Sequence, residues 1–209
     1  MEIPTNASIA TVNYHLWKAC NMRCKFCYAT FKDYPKDFLP KGHFPFAESK
    51  LIIDQIAAHG FKKINFAGGE PTLCPWLPEL VIYAKSLRLE TSIVTNGWTI
   101  LKHDDYLDHF KGSLDIVGVS IDSVDDDANR QSGRAQNGKI PISKADYLLI
   151  ARRVKDKGIY LKINTVVARH NYKEKLTDFI NEAIPNRWKI LQMLPVAGQN
   201  DEFMEQFQI

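Results

Sequence analysis

Three cysteines stand close together near the start of the chain, in a Cys-x3-Cys-x2-Cys run formed by Cys20, Cys24 and Cys27. A thiolate is a soft metal ligand, and three thiolates on one short loop can converge on a single inorganic centre. A structural zinc ion usually takes four protein ligands, and His15 or Cys74 would be candidates for the fourth. Three thiolates on a [4Fe–4S] cluster instead leave one iron open for chemistry. The spacing alone is compatible with both sites, and with structural or disulfide-bonded cysteines.

The composition is that of a soluble globular protein. The chain has 209 residues, of which 45% are hydrophobic and 24% charged, with a formal net charge of +3. This predicts one domain over residues 1–209, and we expect a monomer without a nucleic-acid or membrane partner. No run approaches the ~18 apolar residues of a membrane helix, and the first residues lack the pattern of a signal peptide. We therefore expect the cytoplasm, where clustered cysteines favour a metal or redox site over disulfides.

Strands and helices are predicted to alternate along the whole chain. Strands are predicted at residues 8–15, 62–67, 90–95, 115–120, 159–167 and 188–196. One intervening helix begins at a capping box, Ser143 with Asp146, and another begins at a second capping pair, Asn171 with Glu174. Residues 122–127 are predicted to be an acidic and polar loop, in which Asp125, Asp126 and Asp127 face water. The alternation predicts an α/β fold with a parallel sheet, either a partly open barrel or a doubly wound sheet, since six strands are too few for a complete eight-stranded barrel.

Polar motifs follow the ends of several predicted strands, where active residues collect in parallel α/β folds. Gly68-Gly69-Glu70-Pro71 follows the second strand. Its glycines permit close approach of the backbone to a ligand, and the Glu70 carboxylate can accept a hydrogen bond from an ammonium group. A plain strand-to-helix turn is the alternative. Asn96, which also begins an Asn-Gly turn, and Ser120 end the next two strands.

Polar residues two positions apart occupy one face of a strand. Such pairs are Lys162 with Asn164, Arg187 with Lys189, and Asn13 with His15. Lysine and arginine are the usual partners of phosphate groups, and the inward face of a parallel sheet is otherwise expected to be apolar. The basic pairs therefore predict a site for a polyphosphate, with solvated cations on an edge strand as the alternative. A structural role is the alternative for His15.

The cysteine spacing, the aromatic Phe26 before the last cysteine and the Gly-Gly-Glu-Pro motif together resemble the radical S-adenosylmethionine (radical SAM) enzymes. In that superfamily three cysteines hold a [4Fe–4S] cluster, whose open iron chelates the amino and carboxylate groups of S-adenosylmethionine (SAM). The Gly-Gly-Glu-Pro motif binds the amino group. The resemblance implies a partial (βα)6 TIM-type barrel of the radical SAM type.

Seven runs, in the same order, are similar to those of the viperin family. They are Val12 to His15, Lys63 to Pro71, Val94 to Gly97, Ser120 to Ser123, Gly133 with Arg134, Lys162 to Val167, and Arg187 to Lys189. The resemblance implies that a 5′-deoxyadenosyl radical takes hydrogen from C4′ of CTP, GTP or UTP. Loss of the 3′ hydroxyl as water then gives a 3′-deoxy-3′,4′-didehydro nucleotide, a chain terminator in antiviral defence. It also implies an external electron donor of the flavodoxin or ferredoxin type.

The ligand contacts of the family can be carried over residue by residue. The implied contacts to SAM are Gly68, Gly69, Glu70, Ser120 and Arg134, with Asn96 placed to join them. The implied contacts to the nucleoside triphosphate are Asn13, His15, Lys162, Asn164, Arg187 and Lys189. We expect the family's C-terminal segment, which contacts the base, to be missing, which leaves the base and the activity of this polypeptide open. The alternatives are a GTP-cyclising cofactor synthase, whose second cysteine cluster is not found here, and an inactive zinc- or nucleotide-binding module.

Overall fold

A computed structural model describes residues 10–32 and 42–209. The strands are β1 (Thr11–Trp17), β2 (Lys63–Gly68), β3 (Glu90–Thr95), β4 (Ile116–Ser120), β5 (Ala135–Gln136), β6 (Ile140–Pro141), β7 (Tyr160–Val167) and β8 (Arg187–Gln192). Six of them form one sheet in the order β1-β2-β3-β4-β7-β8, and each neighbouring pair is parallel. The sheet is that of a partial TIM-type barrel, which confirms the predicted fold class.

Helices connect the strands of the sheet. They are α1 (Phe46–Ala58), α2 (Leu77–Ser86), α3 (Trp98–Lys102), α4 (Asp126–Ser132), α5 (Lys144–Asp156), α6 (Thr177–Ala183) and α7 (Met204–Phe207). The predicted capping box at α5 is confirmed, because Ser143 Oγ accepts from Asp146 N at 3.2 Å and donates to the Asp146 carboxylate at 2.8 Å. Two irregular stretches matter below. Residues 18–32 are called the cysteine loop, and residues 193–207, after β8, are called the terminal segment. No helix in the described ranges has the length and apolar character needed to cross a membrane.

The two faces of the six-stranded sheet differ in chemistry. One face packs against the helices, and its Phe66, Ile93 and Ile163 side chains are 0% exposed in the main core. Each such side chain contributes roughly 1.5–3 kcal/mol by leaving water. Because side chains alternate along a strand, the other face carries the intervening residues, which include Asn13 and Lys162. This open face is polar, unlike parallel sheets that are covered on both sides.

The prediction of a loop throughout residues 122–127 is wrong in part, because α4 begins inside this range. Asp125 is the N-cap of this helix, and its Oδ1 accepts from Ala128 N at 2.8 Å. Asp126 and Asp127 occupy the first turn, where negative charge is favoured by the helix dipole. The acidic run is therefore a helix start. A short antiparallel hairpin of β5 and β6 follows the helix.

The predicted capping pair Asn171 with Glu174 is also wrong. The helix that follows β7 is α6, and it begins at Thr177. Asn171 Nδ2 instead donates to Asp122 O at 2.7 Å, and Glu174 accepts from Val124 N at 2.8 Å. Both side chains join the loop after β7 to the loop after β4. The predicted start of the first strand at Ser8 lies outside the described residues. The observed strand continues to Trp17, two residues beyond the predicted end, and β8 ends four residues before the predicted end.

Candidate active site

The cysteine loop leaves the end of β1 and packs against the Gly-Gly-Glu turn at the end of β2. Gly69 N donates to Trp17 O at 2.5 Å, and Glu70 N donates to Ala19 O at 2.8 Å. A Cβ atom on Gly69 would lie 2.5 Å from the Ala19 oxygen, and one on Gly68 would lie 2.3 Å from the Trp17 oxygen. Real Cβ atoms do not approach backbone this closely, so both glycines are needed where the turn meets the loop.

A second glycine turn, at the end of α4, holds the other side of the cysteine loop. Arg23 N donates to Gly133 O at 3.1 Å, and Lys25 N donates to Ser132 O at 2.9 Å. Gly133 has a φ of +79°, and a Cβ atom there would lie 2.1 Å from the Arg23 oxygen. The sequence resemblance had included this glycine without a role. The structure shows that it lets α4 end against the cysteine loop.

The three thiols of the loop share one electrostatic neighbourhood. Burial raises the pKa of Cys20, Cys24 and Cys27, in the case of Cys24 to about 12. The nearby Arg134 guanidinium lowers the pKa of all three. All are free thiols, and among the described residues no group of three His, Cys, Asp or Glu side chains is gathered so as to hold a metal ion. The thiols are therefore protonated at neutral pH, and their binding to iron must release protons.

A buried ion pair joins Arg134 to Asp122 beside these thiols. Their side chains are 9% and 1% exposed. The Arg134 guanidinium also lies 5.5 Å from the centre of the Phe26 ring, and Asp122 Oδ1 accepts from Val166 N at 2.7 Å. Burial raises the pKa of Asp122, and Arg134 opposes that shift. Asp122 was not among the predicted site residues. Its place just after the end of a strand was the signal that could have marked it.

The donor set suits a [4Fe–4S] cluster. Cys20, Cys24 and Cys27 could supply three thiolates from one loop, leaving one iron without a protein ligand. Two glycine turns hold the loop on either side, and a Cβ atom on one of these glycines would lie too close to the backbone of the loop. A buried cation, Arg134, lies within electrostatic range of all three sulfurs and stabilises their thiolate form. Cys74, the candidate fourth ligand of a zinc site, is 2% exposed in the main core, where its neighbours are the N–H groups of Trp76 and Leu77.

The Glu70 carboxylate is 1% exposed and is surrounded by protein donors. Its Oε1 accepts from Thr72 N at 3.1 Å, from Thr72 Oγ1 at 2.7 Å and from Thr95 Oγ1 at 2.7 Å. Its Oε2 accepts from Asn96 N at 2.8 Å. Burial raises the pKa of Glu70, and these donors oppose the shift. The carboxylate thus ties the end of β2 to the end of β3, and its predicted contact to an ammonium group stays a prediction.

Asn96 connects this turn to the cysteine loop. Its Nδ2 donates to Asn21 Oδ1 at 2.7 Å, and its Oδ1 accepts from Trp98 N at 2.9 Å. Gly97 has a φ of +87°, as the Asn-Gly turn requires. The turn role predicted for Asn96 is therefore present. Its contact to SAM stays a prediction, as does that of Ser120, which ends β4 half-buried and pairs in register with Asn164.

The terminal segment lies against the far end of the cysteine loop. Gln199 Oε1 accepts from Thr30 N at 2.9 Å, from Phe31 N at 2.8 Å and from Thr30 Oγ1 at 2.7 Å. Asn200 Nδ2 donates to Phe26 O at 3.2 Å. These contacts join residues about 170 positions apart in the chain. The residues after β8 are therefore part of the frame around the cysteines, a role that sequence reasoning missed.

The open face of the sheet forms a cleft of about 570 Å³. Its lining comprises Thr11, Asn13, Lys63, Asn65, Glu90, Ser92, Asp115, Ile116, Tyr160, Lys162, Arg187 and Lys189. Most of these residues lie in the first halves of their strands, whereas the cysteine loop follows the last residue of β1. Four of the predicted substrate residues, Asn13, Lys162, Arg187 and Lys189, therefore share one cavity. The other two, His15 and Asn164, lie on the same face, nearer the strand ends.

Positive charge is concentrated in this cleft. Burial lowers the pKa of Lys162, and Lys189, Arg187 and Lys63 lower it further. Like charges have this effect only when they are close, so the four cations form one group. In the part of the chain that the structure describes, no ion pair neutralises Lys162, Arg187 or Lys189. A polyanion would relieve this repulsion.

Unpaired polar atoms on the open face also suit a ligand. His15 Nδ1 and Asn65 Oδ1 are buried and find no hydrogen-bond partner among the described residues. Burial lowers the pKa of His15, so its ring is neutral near pH 7. Gly118 makes room for Asn164, since a Cβ atom there would lie 3.0 Å from Asn164 Nδ2. Lone buried polar groups are rare in proteins and usually have a ligand or a water as partner.

Lys63 and Asn65 are cleft residues that sequence reasoning missed. Both lie in the Lys63 to Pro71 run that carried part of the family resemblance. Their spacing of two positions, like that of Lys162 and Asn164, was the available signal. Asn65 Nδ2 donates to Asn13 Oδ1 at 2.8 Å, across the β1–β2 pair.

Comparison with known proteins identifies the family of this chain. The radical SAM superfamily matches residues 14–183. An S-adenosylmethionine-dependent nucleotide dehydratase of Lacinutrix mariniflava is 51% identical over 97% of this chain and 42% of its own length. A protein of the same name from Flammeovirga pacifica is 46% identical over 98% of this chain and 69% of its own length. The nucleotide dehydratase RSAD2 of Oncorhynchus mykiss is 36% identical over 93% of this chain and 54% of its own length. The chain therefore spans less than half of the first relative.

Solved structures share the fold. The SuiB protein of Streptococcus suis bound to S-adenosylmethionine superposes with a TM-score of 0.71 and 20% identity, over 91% of this chain and 42% of SuiB. The protein anSMEcpe, with bound AdoMet and a peptide, superposes with a TM-score of 0.69 and 17% identity, over 88% of this chain and 51% of its own chain. At this level of identity the likeness concerns the fold.

Proposed function

Because this chain belongs to the radical SAM superfamily and, within it, to the S-adenosylmethionine-dependent nucleotide dehydratases, we propose that it dehydrates the ribose of a ribonucleoside triphosphate. The proposed substrate is CTP, GTP or UTP, and the product is its 3′-deoxy-3′,4′-didehydro analogue. When bound, a [4Fe–4S] cluster and SAM would supply the 5′-deoxyadenosyl radical that takes hydrogen from C4′ before the 3′ hydroxyl leaves as water. The observation that carries the proposal is that the cysteine loop and a cation-lined cleft belong to one open sheet.

Cys20, Cys24 and Cys27 would hold the cluster, and Arg134 would stabilise their thiolate form. The backbone of Gly68 and Gly69 lies against the start of the same loop, which supports a contact of its polar groups with bound SAM. The remaining proposed contacts to SAM come from the ends of β2, β3 and β4 and from the residue after Gly133. They are Glu70, Asn96, Ser120 and Arg134.

The cations of the cleft would bind the triphosphate, with Lys162, Arg187 and Lys189 as its main partners. Lysine and arginine form short charge-assisted hydrogen bonds with phosphate oxygens, and binding would relieve the repulsion among them. Asn13, which lines the same cavity, would donate from its amide. No general base is needed at these positions, because the triphosphate bound there is already ionised.

The positions of the cysteine loop and of the cleft cations support one orientation of the nucleotide. The 7 residues of β1 span about 20 Å, at roughly 3.3 Å a residue, from the cleft end of the strand to the cysteine loop. The triphosphate would therefore lie toward the strand starts, and the ribose would lie toward the cysteine loop. His15 and Asn164, placed between these ends, would contact the sugar side of the triphosphate. The neutral His15 ring could donate or accept one hydrogen bond there.

In the cell we propose that the product acts as a chain terminator in antiviral defence. Each turnover would need two electrons, one to cleave SAM and a second that, together with a proton, lets the 3′ hydroxyl leave the C4′ radical as water. We propose that both come from an external donor of the flavodoxin or ferredoxin type. The free thiols suit a reducing compartment, so we propose that the enzyme works in the cytoplasm. We also propose that it is a monomer.

The test is anaerobic incubation of the iron- and sulfide-reconstituted chain with dithionite, SAM and each of CTP, GTP and UTP, followed by mass spectrometry. We expect one of the nucleotides to accelerate formation of 5′-deoxyadenosine and to be converted to a product lighter by one water. A rate of 5′-deoxyadenosine formation that no nucleotide changes would contradict the proposed substrate class.

Two variants separate the cluster from the cleft in this assay. Cys24→Ala should abolish the brown colour of the cluster and all formation of 5′-deoxyadenosine, because two thiolates cannot hold the cluster. Lys189→Ala should keep the colour but weaken activation by the nucleotide, since it removes one phosphate partner. A colourless wild-type protein after reconstitution would instead favour the inactive binding module.

A further inference from the structure

We propose that Phe31 is a positioning residue for the sugar of the substrate, because its ring fixes the His15 ring so that a buried imidazole nitrogen meets a ribose hydroxyl. The inference rests on the proposed function, since it assumes that the sugar lies between the cleft cations and the cysteine loop. Phe31 is not among the residues that line the cleft. It also belongs to neither the cysteine motif nor the basic pairs.

The backbone of Phe31 has a conformation that a bulky residue rarely adopts. Its φ is +55°, in the left-handed region where glycine or asparagine is the usual residue. One oxygen holds it there, because Gln199 Oε1 accepts from Phe31 N at 2.8 Å and from Thr30 N at 2.9 Å. Strained backbone of this kind persists only where the surrounding structure enforces it, and it is concentrated at active sites. Glycine would occupy the position without strain, so the turn itself does not require a phenylalanine ring.

The ring of Phe31 packs against a residue of the open face of the sheet. Its centre lies 5.4 Å from the centre of the His15 ring, and the two planes are 72° apart, which is an edge-to-face contact. His15 stands two residues before the end of β1, on the same face as Asn13, which lines the cleft. The aromatic pair therefore lies between the phosphate-binding cations and the cysteine loop, where the proposed orientation places the ribose.

The contact with Phe31 fixes the direction of a His15 nitrogen. His15 Nδ1 is buried and has no hydrogen-bond partner among the described residues. Because burial lowers the pKa of His15, its neutral ring offers one N–H donor and one acceptor nitrogen near pH 7. The edge-to-face contact restricts rotation of this ring, and a ribose hydroxyl can satisfy its nitrogen as donor or as acceptor. Phe31 has no polar side-chain atom, so it acts through His15.

This arrangement recognises the sugar separately from the phosphates. The cations of the cleft bind a polyphosphate whether or not a sugar is attached, and Phe31 contributes nothing to that binding. Loss of the hydroxyl that meets His15 leaves a buried nitrogen without a partner, which costs affinity. The preference for a ribonucleotide over one of its deoxy forms therefore depends on Phe31.

The test measures affinities of the reconstituted chain by anaerobic isothermal titration calorimetry. The ligands are CTP, GTP and UTP, their 2′-deoxy and 3′-deoxy forms, and inorganic tripolyphosphate. We expect the wild type to bind one ribonucleotide about 5-fold or more tightly than one of its deoxy forms, the equivalent of one hydrogen bond. Phe31→Ala and Phe31→Gly should reduce this ratio to below about 2-fold and leave the affinity for tripolyphosphate unchanged. His15→Ala should remove the same preference, without a further loss in the double variant, because both residues serve one hydrogen bond.

A second measurement separates this role from a structural one. Urea unfolding should show Phe31→Gly to be more stable than Phe31→Ala, because glycine relieves the left-handed backbone that alanine retains. Both variants lack the ring, so both should lose the sugar preference in spite of their different stability. Phe31→Tyr keeps an aromatic ring and should retain the preference. Tyr172→Ala removes a ring that is 49% exposed in the loop after β7, and it should leave every affinity unchanged.

Three results would each overturn the inference. They are equal affinity of the wild type for the ribose and deoxy forms, a preference that survives in Phe31→Gly, and an equal loss of tripolyphosphate and nucleotide binding in that variant. Sugar recognition requires no radical chemistry, so the two proposals can fail separately. A chain that shows the predicted sugar preference but dehydrates no nucleotide contradicts the proposed function alone. A chain that dehydrates a nucleotide while Phe31→Gly keeps the preference contradicts this inference alone. Failure of the wild-type chain to bind any of the nucleotides contradicts both.

Discussion

The Arg134 guanidinium and the Asp122 carboxylate form a buried ion pair beside the three cysteines. Burial alone raises the pKa of the thiols, and the cation of this pair opposes that effect. The cation is in turn kept in the protein interior by Asp122, since an isolated buried charge is costly. The Arg134 charge that stabilises the thiolates therefore depends on Asp122, a residue that is distant from the three cysteines in the sequence.

Asp122→Asn should destabilise the chain by about 3–5 kcal/mol, because it leaves the Arg134 charge buried without a counter-charge. Urea unfolding monitored by circular dichroism measures this loss. Glu182→Gln, in the exposed Lys144–Glu182 pair, is the matched control and should cost below about 1 kcal/mol. Losses of equal size in the two variants would show that the Asp122 pair is not essential for stability.

Gln199→Ala should loosen the far end of the cysteine loop, since one side-chain oxygen accepts from Thr30 and Phe31 together. Hydrogen exchange of the Thr30 and Phe31 amides in the metal-free chain should become faster by about 5-fold or more, the equivalent of one net hydrogen bond. Gln199→Glu retains an acceptor oxygen and should exchange like the wild type. Unchanged exchange in Gln199→Ala would mean that the terminal segment does not hold the loop.

Gly69→Ala should displace the cysteine loop, because its Cβ atom would lie 2.2 Å from Lys18 O and 2.5 Å from Ala19 O. Backbone cannot rotate away as a side chain can, so we expect the free energy of unfolding to fall by ~3 kcal/mol or more, as in severe overpacking. We also expect a reduced iron content after reconstitution. The control is Gly158→Ala, where φ is +68° and the added Cβ atom would have no heavy atom within 4 Å apart from its neighbours in the chain. It should cost only the left-handed backbone penalty of about 1–2 kcal/mol and keep the iron. Normal iron content in Gly69→Ala would contradict this account.

Glu70→Gln should reduce the pH dependence of stability. Burial raises the pKa of Glu70 above its ordinary value of 4.5, so the unfolded chain releases this proton at a lower pH than the folded chain. The contribution of Glu70 is therefore complete below pH 4.5 and is lost as the pH rises through the folded pKa, by up to about 1.4 kcal/mol per pH unit. Asp122 shifts in the same direction but is present in both proteins. Urea unfolding between pH 4.5 and 7.5 should show the wild type losing more stability than Glu70→Gln, and parallel curves would refute the assignment.

Local pattern was sufficient for most of the fold. The bounds of β3 agree with the prediction, and those of β2 and β4 differ from it by one residue at one or both ends. The alternation of strands and helices and one capping box depend on a few consecutive residues at a time, so they can be recognised without knowing the partner of a strand. The two errors at helix starts, at Asp125 and at Asn171 with Glu174, concern side chains that can bind either their own backbone or a neighbouring loop.

The candidate site was predictable to the extent that it is local. The cysteine spacing, the Gly-Gly-Glu turn and the same-face basic pairs are all visible over short stretches. Lys63 was missed because its membership of the cation group depends on charges from β7 and β8. Gln199 was missed because its partners are about 170 residues away.

The sequence by itself determined which chemical groups are present and on which face of each strand they stand, because side-chain direction follows from position along a strand. Only the tertiary structure decided which of those groups meet. The register of the sheet sets Lys63 against Glu90, and the turn after α4 brings Arg134 to Asp122, in the loop after β4, beside the thiols. Such pairs are fixed by packing between distant segments, which no short stretch of sequence encodes.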